Sequence, residues 1–205
     1  MIDHLVYATN DVDETVADVT RRLGVEAAHG GRHLGFGTRN ALLSLGPTMY
    51  LEIIGPDEGQ HRPTNGYWYG VENIVTPRLV TWTARVEHLE RVAAHAHGAG
   101  YNPGDVHNVF RELPDGSKLS WRLTWPTGAG DGLVPNLIEW DEGCPHPAAT
   151  SPGGVELLQL RGYHPAPESI QPMLDAVGVQ LELRVADVPK LVAILDSPYG
   201  PIELS

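Results

Sequence analysis

The chain has 205 residues, of which 41% are hydrophobic and 20% charged, as is typical of a soluble globular protein with an ample core. Its formal net charge of -12 argues against nucleic acid and anionic membranes as partners, because both recruit basic patches. The single cysteine, Cys144, excludes an intramolecular disulfide, and the sequence shows neither a signal peptide nor an apolar run that could span a bilayer, so we expect a cytoplasmic protein.

Three segments share one plan, in which an apolar strand is followed by an amphipathic helix and then by three short strands. The first segment begins with the strand "HLVYAT" and continues with a helix from about Asp11 to Leu23. Asp11 is its predicted N-cap, Glu14 completes a capping box, and Gly24 ends the helix. The predicted strands "HLGFGT", "ALLSLG" and "MYLEIIG" follow.

The other two segments repeat this order. The second begins with "RLVTWTARV", its helix ends at Gly98 or Gly100, and its strands are "VHNVFREL", "KLSWRLTW" and "VPNLIEW", with a turn predicted at "PDGS". The third begins with "VELLQLRGY", and its helix runs from about Pro167 to Gly178. The plan βαβββ, repeated three times, predicts an α+β fold of curved mixed sheets with the helices outside.

The last strand of each segment carries a glutamate among apolar neighbours: Glu52, Glu139 and Glu203. Glu203 is close to the C-terminus and is expected to be solvated. Glu52 lies within "MYLEIIGP", where an ionised carboxylate needs a hydrogen bond, a cation or a metal to offset its burial. His4, on the first strand of the same segment, is either an ordinary hydrogen-bonded histidine or a partner of Glu52. Together, imidazole and carboxylate are suitable ligands for Zn, Ni, Mn or Fe(II).

At this point the sequence resembles the vicinal oxygen chelate superfamily, which includes glyoxalase, extradiol dioxygenases and bleomycin-resistance proteins. The resemblance lies in the repeated βαβββ units, "DHLVYA" and "YLEIIG". The glyoxalase-like domain branch is the closer match, through "GGRHLGFGTRNALLSLGPTMYLEIIGPD", "PRLVTWTAR", "WRLTWP" and "NLIEWDEGCPHPA". These motifs cover most of residues 2–150, and the third unit matches only loosely.

The resemblance implies one compact glyoxalase-like domain in which modules one and two face each other across a cup. The expected divisions are module one (1–56), a linker or lid (57–78), module two (79–142) and a third βαβββ-like unit (154–205). The linker contains Tyr67, Trp68 and Tyr69, which we expect to pack against the body or to cover the cup.

The resemblance also implies a set of metal ligands. Superfamily ligands come from the first and last strands of each module, which assigns His4, Glu52 and Glu139 to a divalent metal (Zn, Ni, Mn or Fe), with Glu52 and Glu139 as the catalytic carboxylates. Aligning "LV" of "PRLVTWTAR" with "LV" of the first strand puts Arg78 at the place of the fourth ligand. Arginine stays protonated and cannot be a ligand. Either three protein ligands and water hold the metal, or the cup binds its ligand without one.

Four further residues are candidates for substrate binding: His33, Asn40, Trp82 and Arg122. The first two lie in the glycine-rich "GGRHLGFGTRN", whose glycines allow close approach of the backbone. Trp82, like Trp121 and Trp140, can stack on a planar substrate or simply fill the core. Arg122, if buried, needs an acidic partner, which is a substrate carboxylate, Glu52 or Glu139.

Two classes of function follow. The favoured one is a metal-dependent enzyme of lyase, isomerase or ring-cleaving dioxygenase type, acting on a small oxygenated organic molecule. The alternative, which the arginine at position 78 favours, is a metal-free protein that binds or sequesters a small molecule, as resistance proteins do, since one scaffold can serve both. The expected partner is a small-molecule ligand, and a homodimer is left open.

Overall fold

The fold consists of an eight-stranded closed barrel with a four-stranded sheet beside it. The computed structural model describes residues 1–64, 66–112, 118–125, 128 and 130–205. The helices are α1 (Val12–Leu23), α2 (Leu89–Gly98), α3 (Pro147–Thr150) and α4 (Pro167–Ala176), with a 3₁₀ segment at Trp68–Asn73. The strands are β1 (Ile2–Ala8), β2 (Ala28–His33), β3 (Thr38–Ser44), β4 (Tyr50–Pro56), β5 (Arg78–Arg85), β6 (Asp105–Glu112), β7 (Lys118–Trp125), β8 (Asn136–Trp140), β9 (Glu156–His164), β10 (Glu182–Val185), β11 (Lys190–Ser197) and β12 (Gly200–Leu204).

The strand order confirms the predicted α+β fold of βαβββ units. The barrel runs β1-β4-β3-β2-β6-β7-β8-β5, so the first two units each contribute one half of it. Where the halves meet, β1 pairs antiparallel with β5, and within each half the first and last strands are parallel. The third unit forms the separate sheet, in the order β10-β9-β11-β12. The turn predicted at "PDGS" lies outside the described residues.

Helix α1 begins and ends where its sequence predicts. The side chain of Asp11 accepts a hydrogen bond of 3.0 Å from the backbone N–H of Glu14, which satisfies a free donor of the first turn. Gly24 follows the last residue with φ of 74°, a left-handed conformation that glycine adopts without strain. Val12, Val19 and Leu23 form the buried stripe that packs against the outside of the barrel.

Strands β1 and β4 are buried on both faces, which explains why a histidine and a glutamate on them become buried. Alternate residues, including Leu5 and Leu51, face outwards into the core that they share with α1. The residues at the other alternate positions, including Val6 and Ile54, point inwards and belong to a second apolar cluster inside the barrel. Polar side chains on the inward positions therefore lie in the barrel interior, away from solvent.

The third unit packs against the outside of the barrel through the outer core. Leu160, Leu191 and Leu195 belong to the same apolar cluster as the buried stripe of α1. At Gly162 the fit is tight, because an added Cβ would lie 3.2 Å from the side chain of Leu133, which also belongs to that core. None of the described helices is both long enough and apolar enough to cross a membrane.

Candidate functional site

His4 and Glu52 face each other inside the barrel. The parallel register of β1 and β4 pairs His4 with Tyr50 and Val6 with Glu52, so all four side chains share the inner face. Nε2 of His4 lies 3.8 Å from Oε2 of Glu52, and both side chains are almost fully buried. The ring of Tyr50 stacks on the His4 ring, with centroids 4.6 Å apart, and holds it in this orientation.

Asp3 fixes the orientation and the tautomer of His4. Its Oδ1 lies 2.8 Å from Nδ1 of His4, while Oδ2 accepts from Trp140 Nε1 at 3.0 Å and lies 3.0 Å from Nε2 of His146. Burial alone would raise the pKa of Asp3, but the hydrogen bonds from His146 and His4 bring it well below its usual range. Because the buried carboxylate accepts at Nδ1, the Nε2 lone pair of His4 points towards Glu52.

His33 approaches Glu52 from the other side. Its Nε2 lies 3.7 Å from Oε1 of Glu52, and its Nδ1 forms a hydrogen bond of 3.0 Å with Thr38 Oγ1. Burial lowers the pKa of His33 to about 4; the negative charge of Glu52 opposes this, and the charge of Arg111 adds to it. The imidazole is therefore neutral at physiological pH.

Asn40 connects Glu52 to a buried arginine. Its Nδ2 donates to Glu52 Oε1 at 2.5 Å, and its Oδ1 accepts from Nη1 of Arg111 at 3.3 Å. Arg111 is only 4% exposed. Gly30 makes room for this pair, because a Cβ there would lie 2.9 Å from Nη1 of Arg111 and closer still to the Asn40 amide. The glycine-rich segment thus accommodates two polar side chains.

Aromatic and apolar side chains enclose this polar cluster. The remaining walls are Tyr50, Trp68, Tyr69, Trp121, Leu123, Ile138 and Trp140. The free volume of the cavity is about 10 Å³, which is roughly the room that one water molecule needs. Trp68 meets His33 edge-on at 5.0 Å, and the Tyr69 hydroxyl accepts a hydrogen bond of 3.0 Å from Asn136. The 3₁₀ segment of the linker therefore covers the cavity.

Glu139 does not point into this space, contrary to the expected ligand set. It alternates with Ile138 and Trp140, which face inwards, so its own side chain lies outside the barrel. There it accepts hydrogen bonds of 3.0 and 2.9 Å from the backbone N–H groups of His88 and Leu89 at the start of α2. Burial acts to raise the pKa of Glu139, but these N–H groups and the charge of Arg122 hold it below its usual value.

Two of the candidate substrate-binding residues also lie outside the cavity. Arg122 Nη2 contacts Oε2 of Glu139 at 2.6 Å, and Nη1 pairs with Glu90, so its acidic partners belong to the outer surface. Trp82 is buried in the outer core, where its Nε1 donates to the carbonyl of Leu133 at 2.8 Å. His33 and Asn40, in contrast, lie beside Glu52 in the cavity.

Arg78 and Glu203 are likewise absent from the cavity. Arg78 is exposed at the start of β5, where its backbone pairs with Ala8. The β5 residue that pairs with His4 is Thr83. Glu203 is exposed on β12, as expected for a solvated side chain.

The residues present do not fit a divalent metal of the superfamily type. His4 and Glu52 have a suitable separation, since two atoms bound to one ion at 2.0–2.2 Å lie roughly 3–4 Å apart. However, among the described residues no group of three or more His, Cys, Asp or Glu side chains could hold a metal ion. The residue of module two that pairs with His4 is Thr83, and Thr83 in turn pairs with Asn136. The side chains of threonine and asparagine are weak ligands for such metals. The nearby guanidinium of Arg111 already supplies a positive charge.

Among the acidic, basic and histidine side chains of the site, three were not predicted: Asp3, Arg111 and His146. Asp3 directly precedes His4 in "DHLVYA", and a carboxylate beside a histidine was a readable signal. Arg111 lies two positions after Val109, a buried residue of the interior, so period-two alternation along "VFRE" was a second signal. His146 gave no signal, because only the folding of the loop after β8 brings it to Asp3.

Comparisons with known proteins agree with this architecture. A family model described as "Glyoxalase-like domain" matches residues 2–178. A hypothetical protein from Staphylococcus aureus superposes with a TM-score of 0.68 at 11% identity, covering 92% of this chain and 87% of that chain. This likeness shows the fold alone. A comparison with curated proteins finds no match.

Two structures of methylmalonyl-CoA epimerases are more distant. The enzyme from Mycobacterium tuberculosis has a TM-score of 0.46 at 22% identity, covering 72% of this chain and 91% of that chain. A variant of the Streptomyces coelicolor enzyme in complex with 2-nitronate-propionyl-CoA has a TM-score of 0.46 at 19% identity, covering 71% of this chain and 97% of that chain. Similarity at this level carries no information about substrate.

Proposed function

Because this chain belongs to the glyoxalase-like domain family, we propose that it is an isomerase- or lyase-type enzyme that transfers protons on a small oxygenated organic molecule inside the barrel. The observation that carries the proposal is the enclosed pair of His4 and Glu52, with Asp3 behind the histidine. A buried carboxylate, an oriented imidazole and excluded water are the components of general acid–base catalysis.

His4 is the proposed general base. Asp3 accepts at Nδ1, so Nε2 is free to take a proton from a carbon next to a carbonyl, and the resulting imidazolium is stabilised by the buried carboxylates of Asp3 and Glu52. Glu52, beside His4 on the neighbouring strand β4, is the second proton-transfer group. His33 is neutral and can donate a hydrogen bond to the oxyanion that develops on the substrate.

Metal dependence is the point on which the proposal departs from the initial expectation. Within the part of the chain that the structure describes, the donor set around Glu52 does not complete a metal site, and Arg111 supplies a positive charge beside the cavity. We therefore do not extend the proposal to ring-cleaving dioxygenase chemistry, which needs a redox metal. Elemental analysis of protein purified without an affinity tag is the direct test. Zn, Ni, Mn or Fe bound in a 1:1 ratio, and lost in Glu52→Gln, would contradict a metal-independent reaction.

Solvent deuterium exchange tests the proton transfer. The protein is incubated in D2O with small 2-oxo acids, 2-hydroxy ketones and 1,2-dicarbonyl compounds, and deuterium at the carbon next to the carbonyl is followed by NMR. We expect exchange with the wild type, and a loss of about 10²-fold or more in His4→Gln and in Glu52→Gln. Glu139→Gln is the matched control, because its carboxylate lies outside the barrel, and it should exchange like the wild type.

Binding without turnover is the second candidate. The small closed cavity favours it, because apolar walls and a covering tryptophan also suit retention of a ligand. In that case ligands would raise the Tm of the wild type while no compound exchanges deuterium. Exchange that requires both His4 and Glu52 would rule out a purely sequestering role.

A further inference from the structure

Arg111 is a buried cation whose hydrogen-bonding capacity is largely unused. A guanidinium has five N–H donors. Within the described residues one of them is used, by a long contact of 3.3 Å to the Asn40 amide, and the Nε donor is buried without any partner. Burial lowers the pKa of Arg111, and the nearby Tyr50 and Glu52 oppose this, but arginine remains charged in either case.

A buried guanidinium destabilises the folded state unless acceptors bind its N–H groups. A buried donor without an acceptor destabilises a fold, more so when it carries charge. Glu52 is not in direct contact with the guanidinium, because Asn40 stands between them and uses one end of its amide for each. The polar side of the cavity thus holds an arginine that no carboxylate of the described chain contacts.

We propose that Arg111 is the anchor for a carboxylate group on the ligand of this cavity. The planar guanidinium binds a carboxylate with two parallel hydrogen bonds, and it can bind a phosphate in the same way. A carboxylate is the smaller group and carries less charge, so it suits this narrow cavity better. The inference rests on the proposed function in one respect, namely that the cavity around Glu52 is the ligand site. It narrows the substrate class to small carboxylic acids, whose anionic end binds Arg111 while the reacting carbon lies near His4 and Glu52.

Ligand entry requires movement of the cover. A cavity with room for about one water molecule is too small for a carboxylic acid, and Trp68 and Tyr69 of the 3₁₀ segment form its outer wall. Tyr69 and Gly70 both have positive φ, of 57° and 60°, so a turn lies directly beside the covering rings. Outward displacement of this segment would open the cavity without changing the barrel.

Small carboxylates and their neutral isosteres provide the test. Formate, acetate and pyruvate are titrated against the protein at constant ionic strength, with formamide, acetamide and pyruvamide as matched neutral compounds, and binding is followed by Tm and by calorimetry. We expect that at least one acid binds saturably and that its matched amide shows no binding. Arg111→Met should weaken acid binding by about ten- to a hundredfold, the value of charge-assisted hydrogen bonds. Arg111→Lys keeps the charge but loses the planar fork, so its affinity for the acid should lie between those of the wild type and Arg111→Met.

The control arginine is Arg39, which precedes Asn40 on strand β3 and pairs with Asp13 on the outside of the barrel. Arg39→Met should bind acids like the wild type. Equal affinity for acids and amides, or undiminished binding in Arg111→Met, would overturn the proposal. So would preferential binding of phosphate or sulfate, which would identify a different anion. Deuterium exchange without selectivity for acids would support the proposed enzyme and refute the role of Arg111. Acid binding without exchange would refute the enzyme and support the role of Arg111 as a carboxylate anchor.

Discussion

The carboxylate of Glu52 is buried inside the barrel, where polar and charged side chains surround it. Asn40 donates to one oxygen, two imidazoles lie within 4 Å, and the charge of Arg111 acts from behind Asn40. The buried negative and positive charges are therefore interdependent, and changing one alone leaves the other uncompensated.

This interdependence predicts a non-additive pair of substitutions. Glu52→Gln should lower the free energy of unfolding by about 3 kcal/mol, because it leaves the guanidinium of Arg111 buried without a counter-charge. The double variant with Arg111→Met should recover much of that loss. Urea unfolding of the four proteins measures the coupling. A metal site would give the opposite result for Glu52→Gln, with unchanged or raised stability and loss of bound metal.

His33 predicts a pH dependence of stability. Its pKa is about 4 in the folded protein and near 6.5 when exposed, so the unfolded chain takes up a proton first as the pH falls. The contribution of His33 is therefore constant above pH 7 and decreases from about pH 6.5 to 4, by up to about 1.4 kcal/mol per pH unit. Urea unfolding at pH 7.5 and 5 should show a smaller difference for His33→Gln than for the wild type. His95→Gln, an exposed control, should behave like the wild type.

The start of helix α2 depends on a residue from another strand. His88 adopts a left-handed conformation and gives no side-chain cap, so the carboxylate of Glu139 accepts the free N–H groups instead. Glu139→Ala should lower the free energy of unfolding by about 1 to 2 kcal/mol, as loss of a cap does. Glu90→Ala, which removes the exposed partner of Arg122, should cost less than about 1 kcal/mol. No effect of Glu139→Ala on stability, together with loss of ligand binding, would restore this residue to the site.

The 3₁₀ segment is predicted to be part of the packed structure rather than a spacer. Trp68 is 5% exposed and lies about 5.0 Å from the rings of His33, Phe36 and Trp125. Trp68→Ala should therefore reduce the free energy of unfolding by about 3 to 5 kcal/mol. Val75→Ala in the same linker, where the side chain is 89% exposed, should change it by less than about 0.5 kcal/mol. Similar small effects of both substitutions would show that the linker is only a tether.

The barrel and the third unit share one core, which predicts a single unfolding transition. The apolar cluster that contains Leu5 and Leu51 also contains Leu160 and Leu195, so neither part can lose its packing independently. All five tryptophans lie between residues 68 and 140, so tryptophan fluorescence reports on the linker and module two, while far-UV circular dichroism reports on the whole chain. The two urea curves should coincide. A Tyr199→Trp reporter on the third unit that unfolds at a separate midpoint would show that this unit is an independent domain.

Local patterns in the sequence were sufficient for the units and the helix termini. Neighbouring residues alone determine the βαβββ order of elements, the cap at Asp11 and the glycine at position 24. These features could therefore be predicted without knowing the fold. The apolar neighbours of Glu52 and the glycine-rich segment around His33 and Asn40 also identified three residues that the structure places together.

Which face of a strand points into the barrel depended on the tertiary structure. In "NLIEW" Ile138 faces the interior and Leu137 the outer core, so burial on both faces gives no alternation of hydrophobicity that would reveal which side Glu139 occupies. Arg111 and Asn40 come from different modules, and only closure of the barrel between β2 and β6 brings them into contact. Their charge balance with Glu52 is a property of that closure and not of any single segment.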